Sequence, residues 1–357
     1  MAETLLQYKC PYCGGKLEFD SATQQMKCPY CDSMVDISTL EMKDDVLDQE
    51  PASASAGGAW SAGETDGMRV YSCQSCGGEI VADETTGAAS CPYCGNPVVM
   101  VGAFSGDLKP DLVLPFKLDK AAAKEALSRH LRGKKLLPKI FKSENHIDEV
   151  RGVYVPFWLF DADVDADLQY SATQLRSWSD SDYDYTETSY YNVWRAGSIG
   201  FDNVPVDGSE HMEDDLMESI EPFDVSQAVP FQTAYLSGYM AERYDVSEQQ
   251  SLDRARQRME KSTSDAFADT VTGYSSVSLS SASIEPHISR AKYALYPVWI
   301  LNTSWRGKKY TFAMNGQSGK FVGDLPLDKG AYWRWFGILT GAVAAAALLV
   351  SYLFWLL

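Results

Sequence analysis

Eight cysteines, arranged as four Cys-x-x-Cys pairs, constrain this chain more than any other feature. The pairs form two sets, and 14 residues separate the first pair from the second in each set. The first set is Cys10, Cys13, Cys28 and Cys31, and the second is Cys73, Cys76, Cys91 and Cys94. Each pair aims two sulfur atoms at one point, so two pairs supply the four ligands of a tetrahedral Zn²⁺ ion. The spacing predicts two small β zinc ribbons, residues 1–40 and 69–100, each with one Zn²⁺.

The two sets also repeat each other. Cys10–Cys31 aligns with Cys73–Cys94 without gaps, which indicates a duplicated module. Gly14, Asp32 and Gly95 each follow the second cysteine of a pair, where we expect a left-handed backbone conformation. Residues 41–68, an acidic run followed by Ala, Ser and Gly, are typical of a flexible linker.

Two other uses of paired cysteines are a disulfide framework and a redox-active dithiol. The N-terminal residues lack the apolar core of a secretory signal peptide, and disulfides are rare in reducing compartments. A redox dithiol needs one pair, whereas each module here holds two matched pairs. Closed zinc sites are therefore favoured, and we expect metal binding to supply the folding free energy of each ribbon.

The segment Trp335–Leu357 contains no charged residue. Its 23 residues would form a helix ~34 Å long, enough to cross a hydrocarbon core of roughly 30 Å. We predict a transmembrane helix over residues 333–357, and the alternative is a buried core helix. Lys329 and Arg334 flank only its N-terminal side, so the positive-inside rule predicts a cell-membrane protein with a single C-terminal anchor and cytoplasmic N-terminal domains.

Small residues recur along this predicted helix. Gly337, Gly341 and Ala345 are four residues apart, a spacing that lets two transmembrane helices approach closely. A homodimer through this helix is one interpretation. The other is that the stripe only reflects the abundance of alanine in the segment.

The charge distribution bears on the partner class. The formal net charge is −18, and residues 1–110 hold six Lys and Arg against sixteen Asp and Glu. Nucleic-acid binding relies on cationic side chains, so this acidic balance argues against a nucleic-acid partner and favours a protein. Residues 117–142 carry nine Lys and Arg against two acidic residues. They form either a solvated helix face or a contact for anionic lipid or an acidic partner; the acidic residues 161–224 could also neutralise them.

Residues 101–328 are predicted to form an α+β soluble domain with a mainly antiparallel sheet. Val153–Phe160 is an apolar β-forming run, and the later run Pro297–Leu301 is similar to its second half. The similarity indicates two related hairpin units that pack on one another. Other predicted elements are the helix Asp119–Leu131, a helix from Ser247 to about Val271 and a hairpin turn at Asn315–Gly319. The predicted inner face of the second helix is Leu252, Ala255, Met259 and Phe267.

No constellation of catalytic residues stands out in the body, so no catalytic residue is predicted. The histidines are isolated in the sequence: His130, His146, His211 and His287. Alternating aspartates should share one solvated strand face: Asp161, Asp163, Asp165 and Asp167. An aromatic stretch indicates half-buried strands or a ligand cleft: Tyr183, Tyr185, Tyr190, Tyr191 and Trp194.

The order of these features resembles a family of Gram-positive bacterial proteins described as TFIIB-type zinc-ribbon proteins. The resemblance is carried by the cysteine modules, the Tyr154–Trp158 strand, the Asn315–Pro326 segment and the final apolar helix. It implies that the eight cysteines bind zinc and that the last helix is an anchor. It also implies partners similar to phage-shock protein A or to SPFH proteins, in an envelope-stress complex. The family supplies no catalytic residue.

These features predict a non-enzymatic membrane-anchored adaptor. Its zinc ribbons, projecting on the linker, would recruit cytoplasmic protein partners to the membrane. The alternative is a membrane-tethered regulator that binds nucleic acid through the ribbons.

Overall fold

A computed structural model describes residues 9–40, 56–61, 64–65, 67–83, 90–103, 108–138, 150–212, 214–305 and 308–356. Fourteen strands lie in these ranges: β1 Glu18–Asp20, β2 Gln25–Lys27, β3 Met34–Val35, β4 Met68–Ser72, β5 Glu79–Asp83, β6 Val99–Ala103, β7 Leu112–Val113, β8 Arg151–Ser179, β9 Asp184–Asp207, β10 Val229–Pro230, β11 Met240–Glu242, β12 Ser276–Trp305, β13 Lys308–Asn315 and β14 Phe321–Gly323. The α-helices of these ranges are α1 Lys120–Leu131, α2 Asp214–Ser219, α3 Glu248–Asp269 and α4 Lys329–Leu356.

The strands form two sheets. β1, β2 and β3 make a small antiparallel sheet around the first cysteine set. The other eleven form one sheet in the order β10-β7-β12-β8-β11-β5-β4-β6, with β13 and β14 continuing from β12 and β9 pairing with β8. Only β7 on β12 and β11 on β8 are parallel pairs. The described part of the chain is therefore a mainly antiparallel β body, as predicted, with cysteine clusters at its start and an apolar helix at its end.

Three long strands organise the large sheet. β8 has 29 residues and β12 has 30, and they pair antiparallel from Ile300↔Arg151 to Ser276↔Thr173. β8 forms a hairpin with β9, and β12 forms one with β13. The two predicted hairpin units therefore exist. They join edge to edge through the β8–β12 pair instead of packing face to face.

The core surrounds the first part of β8 and the last part of β12, which pair with each other. Trp158 and Phe160 face one side of the sheet, and Phe157 and Leu159 face the other; all four are buried. A strand buried on both faces requires a continuous apolar run, which is the pattern of Val153–Phe160.

Past this core, the burial of β8 alternates. Ala162, Val164 and Leu168 are buried, while Asp163 and Asp165 between them are exposed. Asp163, Asp165 and Asp167 share one solvent-facing side, as predicted. Asp161 departs from the prediction, because its side chain is largely buried and lies 3.0 Å from Lys292 Nζ. The far parts of β8, β9 and β12 form a projecting arm (residues 163–200 and 274–288), one face of which α3 partly covers.

The two predicted body helices are confirmed, and their caps explain where they start. Asp119 Oδ1 accepts a hydrogen bond from Ala122 N at 2.7 Å and caps α1. Ser247 and Gln250 form the expected capping box of α3. Ala255 and Met259 of α3 are buried, as predicted, and Leu252 packs on the same core.

The hairpin turn between β13 and β14 is also confirmed. Asn315 Oδ1 accepts from Gln317 N at 2.8 Å and from Ser318 N at 3.0 Å, and Asn315 O accepts from Gly319 N at 2.9 Å. An asparagine side chain that caps its own turn is a common solution to tight reversals.

Part of the predicted linker packs against the body. Ala56 is buried, Gly57 N donates to Asp111 Oδ2 at 2.8 Å, and Gly58 pairs with Lys109. These contacts hold residues 56–58 against the body. Residues 41–55, 62, 63 and 66 of the predicted linker lie outside the described residues.

The expectation that the aromatic stretch is half-buried was wrong for most of its members. Exposed fractions reach 81% for Tyr190, 68% for Tyr183 and 64% for Trp194. These side chains lie on the arm. One face of the arm is open to solvent, and α3 covers only part of the other face.

The apolar helix α4 runs from Lys329 to Leu356. Its most apolar window has a mean hydropathy of 1.8, and none of that window is buried against the described chain. The alternative of a buried core helix is therefore contradicted. By length and composition α4 could cross a membrane.

Candidate metal centres

The structure brings the first four cysteines together as one cluster. Cys10 Sγ lies 3.6 Å from Cys31 Sγ, and Cys13 Sγ lies 3.5 Å from Cys28 Sγ. All four sulfur atoms are within 4.8 Å of one another. The set predicted from sequence is thus a compact four-thiol site.

The second set forms an equivalent cluster. Cys73 Sγ lies 3.4 Å from Cys94 Sγ, and Cys76 Sγ lies 3.6 Å from Cys91 Sγ. Its ligands are less exposed than those of the first cluster, because Cys76 and Cys94 are half-buried whereas Cys13 and Cys31 are exposed.

The sulfur separations fit zinc. Four sulfurs at about 2.3 Å from a central Zn²⁺ are about 3.8 Å apart in a regular tetrahedron. The shortest Sγ–Sγ distances, 3.4–3.6 Å, are near that value and far above the ~2.05 Å of a disulfide bond. Each cluster could hold one metal ion, and sulfur-only ligation is typical of structural zinc.

All four Cys-x-x-Cys turns share one backbone pattern. The carbonyl oxygen of the first cysteine accepts a hydrogen bond from the backbone N–H four residues later. Examples are Gly14 N to Cys10 O at 2.8 Å and Asp32 N to Cys28 O at 2.9 Å. That residue is left-handed in every turn, with φ from 55° at Asp32 to 82° at Gly77. The prediction for Gly14, Asp32 and Gly95 is confirmed, and this conformation turns both sulfurs inward.

A hydroxyl supports the thiolate form in the first cluster. Ser33 Oγ lies 3.0 Å from Cys31 Sγ, and this hydrogen bond lowers the pKa of the Cys31 thiol. Because the thiolate is the metal-binding form of cysteine, the contact favours ligation.

The first cluster is fastened to the body. Gln24 Nε2 donates to Phe116 O at 2.7 Å, and Ser237 Oγ donates to Leu17 O at 2.9 Å. The rings of Phe19 and Tyr235 pack edge to face at 5.1 Å. These contacts hold the small sheet on the body, so this module does not project freely as the sequence suggested.

The second cluster is continuous with the body's sheet. Its strand β5 pairs with β11, which in turn pairs with β8. Arg151 Nη1 also donates to Ser90 O at 2.9 Å, close to Cys91. The second cysteine module is thus part of the large sheet.

A third group of ligand-type side chains lies against the second cluster. His211 Nδ1 lies 2.7 Å from Asp245 Oδ2 and 3.5 Å from Glu242 Oε1. On the other side of the ring, His211 Nε2 is 3.0 Å from the carbonyl oxygen of Cys76. No sequence motif predicts this group, because its members lie far apart in the chain and come together only in the fold.

A charged imidazole accounts for the contacts of this group. The carboxylates of Glu242 and Asp245 raise the pKa of His211 to about 9, against the opposing effect of burial. A protonated ring donates from Nε2 to the Cys76 carbonyl, and its positive charge pairs with the carboxylates beside Nδ1. Burial raises the pKa of Glu242, while His211 and Ser209 act in the opposite direction. The group is therefore an ion-paired tie between the second cluster and the body.

The other histidines of the described residues do not lie at the clusters, in agreement with their isolation in the sequence. His130 packs against Phe321 near α1, and His287 is exposed on the arm beside Asp165. His146 lies outside the described residues. Among the described residues, the sequence-predicted ligands are the eight cysteines, and the structure assembles all of them.

The chain is similar to a curated bacterial protein over most of its length. The chain is 31% identical over 330 residues to a protein of Bacillus subtilis (strain 168), "Uncharacterized protein YdjG". The match covers 79% of this chain and 97% of the relative, and its source agrees with the Gram-positive part of the resemblance. No protein-family model and no solved structure matches the chain. At this identity and coverage, the chain belongs to the same protein family as YdjG of Bacillus subtilis.

Proposed function

We propose that this protein is a non-enzymatic adaptor, anchored in the cell membrane by α4, that recruits cytoplasmic proteins through its two zinc-bound cysteine modules. The observation that carries the proposal is the closed character of both clusters. Each brings four protein sulfurs together. A zinc ion with four protein ligands keeps no open position for a substrate or a catalytic water, so its role is structural.

The first module offers a surface for a partner. Tyr12 and Tyr30, each from one Cys-x-x-Cys turn, are both 76% exposed. Tyrosine is enriched in protein interfaces, where it combines a large apolar ring with a hydroxyl group. Residues 1–40 hold five Asp and Glu against three Lys, so the module lacks the cationic excess that nucleic-acid binding requires. The zinc-ribbon fold of both modules is part of this proposal.

The partner class comes from the family resemblance. It points to proteins similar to phage-shock protein A or to SPFH proteins, held at the membrane during envelope stress. An adaptor suits this role because one chain combines an apolar end with two metal-stabilised modules on a shared body.

Co-purification from detergent-solubilised membranes tests recruitment. We compare the native chain with a Cys10→Ser/Cys13→Ser variant, which cannot complete the first cluster, and with Tyr12→Ala/Tyr30→Ala, which keeps all eight cysteines. Both variants should lose the same small set of proteins while remaining in the membrane fraction. A Tyr190→Ala/Trp194→Ala variant, which removes equally exposed aromatics from the arm, should retain the set.

Three results would overturn the adaptor proposal. One is retention of every partner by both first-module variants. Another is salt-dependent affinity of the full chain for DNA or RNA, which would favour a nucleic-acid-binding regulator. The third is reproducible turnover of a substrate that a point substitution in the body abolishes.

The cytoplasmic orientation rests on Lys329 and Arg334 before the apolar stretch. A membrane-impermeant amine reagent should modify body lysines such as Lys261 only after the cells are permeabilised. Modification in intact protoplasts would show that the body lies outside the cell.

Self-association through α4 is also part of the proposal. Gly337, Gly341 and Ala345 are all exposed on the helix. A Gly337→Leu/Gly341→Leu variant should cross-link less in membranes than the native chain, because larger side chains prevent close helix approach. Equal cross-linking would remove the dimer from the proposal.

A further inference from the structure

A basic segment lies beside the first turn of α4. Residues 117–138, named here the basic segment, carry seven Lys and Arg against Asp119 and Glu125. They form α1, the turn that follows it and a short flanking stretch on either side. Lys120, Arg129, Arg132 and Lys135 are exposed along the segment.

Two contacts fix the basic segment to the start of α4. Asp328 N donates to Leu136 O at 2.9 Å, immediately before the helix begins. Lys135 Nζ lies 4.0 Å from the centroid of the Trp335 ring, over its face. The position of the segment relative to the helix is therefore set by the fold.

The contact with Trp335 places the basic segment at a defined level relative to the membrane surface. Trp335 is the first residue of the uncharged stretch, and tryptophan at such a boundary sits at the level of the lipid head groups. Lys135, on the ring of Trp335, lies at the same level. Arg334 and Lys329, in the first turns of α4, add two exposed cations beside it.

Two cations of the basic segment lie outside its described carboxylate contacts. Asp119 caps α1, and Glu125 pairs with Arg129 at 3.0 Å. Asp328 Oδ1 accepts from Gly330 N at 2.9 Å at the start of α4. Arg132 and Lys135 are exposed and take part in none of these contacts, so their charges can face anionic head groups.

We infer that the basic segment binds the head groups of anionic phospholipids and holds the body against the membrane surface. A Lys or Arg near an anionic bilayer gains about 1 kcal/mol, and the attraction extends over about 8 Å at physiological salt. The inference rests on the membrane-anchor part of the proposed function and is independent of any protein partner.

Lysine acylation of the full chain in nanodiscs tests this inference. One set of discs contains only phosphatidylcholine, and the other also contains phosphatidylglycerol. Lys120 and Lys135 should react about fivefold more slowly with the anionic lipid, the factor that corresponds to ~1 kcal/mol. High salt should remove this protection. The rates at Lys27 and Lys261, exposed elsewhere, should be equal in both discs.

Charge-removing variants give a second readout. Arg132→Gln/Lys135→Gln should lower the share of phosphatidylglycerol among lipids extracted with the protein in polymer-bounded discs. Arg256→Gln/Lys261→Gln removes two cations from α3 and should leave that share unchanged.

Several outcomes would overturn the inference. Equal acylation of Lys120 and Lys135 in both kinds of disc excludes a lipid contact. The same protection from inorganic phosphate with neutral discs identifies a site for soluble anions instead. A protein that does not enter discs at all contradicts the membrane anchor itself, which separates that failure from the failure of the lipid contact.

Discussion

The imidazole of His211 joins the second cysteine cluster to the β body, with Nε2 3.0 Å from the carbonyl oxygen of Cys76. On the body side, Nδ1 lies 2.7 Å from Asp245 Oδ2. The tie links a Cys-x-x-Cys turn of the second cluster to Glu242 and Asp245, at and just after β11. Its strength should affect how firmly the cluster keeps its metal.

Replacing His211 by alanine should speed zinc release from the second cluster to a chelator. The Cys76 carbonyl would lose a charged donor, and Glu242 would remain buried without its cation. Release from the first cluster should be unchanged. The release kinetics of the zinc-loaded full chain measure both phases, and His287→Ala, an exposed histidine on the arm, is the control. Identical kinetics in His211→Ala and native protein would contradict the tie.

Arg258 of α3 should contribute strongly to stability. Arg258 Nη2 lies 2.5 Å from Glu221 Oε2, and Nη1 also donates to Pro205 O at 2.6 Å. Both side chains of the pair are less than a quarter exposed. Arg258→Met leaves the Glu221 carboxylate without its partner, so we expect a loss of about 2–3 kcal/mol in the free energy of unfolding.

Thermal unfolding of the full chain in detergent measures this loss, which should lower Tm by several degrees. Arg256→Met is the matched control two positions earlier. Arg256 is 48% exposed and pairs with an exposed Asp253, so its loss should cost no more than about 0.5 kcal/mol. Equal effects of the two substitutions would disprove the contribution of the Arg258 pair.

The carboxyl group of Asp207 should make stability depend on pH. Burial, together with Asp214 and Glu242, raises its pKa from 3.8 to about 7. Between these two values the folded state binds more protons than the unfolded state, so stability should fall as pH rises from about 4 to about 7. Asp207→Asn should remove this destabilisation, which lowers the free energy of unfolding by roughly 2–4 kcal/mol at pH 8.

The check for Asp207 is the difference in Tm between variant and native protein at two pH values. Asp207→Asn should raise Tm at pH 8 and change it little at pH 4. Asp182→Asn, at the exposed arm tip, should leave Tm nearly unchanged at both pH values. A difference that is the same at both pH values would show that Asp207 does not titrate as proposed.

Gly316, in the Asn315–Pro326 segment, is packed so closely that a larger residue should destabilise the body. A Cβ atom at Gly316 would lie 2.7 Å from both the Phe116 ring and the Pro297 carbonyl oxygen. Gly316→Ala should therefore destabilise the body by about 2 kcal/mol, in the range of overpacked cores. Urea unfolding measures it, with Gly58→Ala as control because open space surrounds that position. Neutral behaviour of Gly316→Ala would contradict this close packing.

Local patterns in the sequence predicted a large part of the structure. The Cys-x-x-Cys spacing identified both four-sulfur clusters, because two residues between cysteines set the geometry of a single turn. Ser247 with Gln250 predicted the start of α3, and Asn315–Gly319 predicted a turn, since caps and turns depend on neighbouring residues. The uncharged stretch from Trp335 likewise predicted α4 from composition alone.

Other features depend on contacts between distant residues. No local pattern indicates that β5 of the second module pairs with β11, or that His211 meets Glu242 and Asp245. The exposure of Tyr190 and Trp194 was mispredicted because β-forming sequence does not reveal whether another layer covers a strand.

The sequence by itself therefore determined which cysteines cluster, where α1 and α3 begin and that the last helix is apolar, because each depends on residues within one turn or one helix. Only the tertiary structure decided that both modules are fastened to the body, that the arm is open to solvent and that Lys135 lies on Trp335. Those arrangements depend on which strands pair and which faces they bury, and long-range packing sets both.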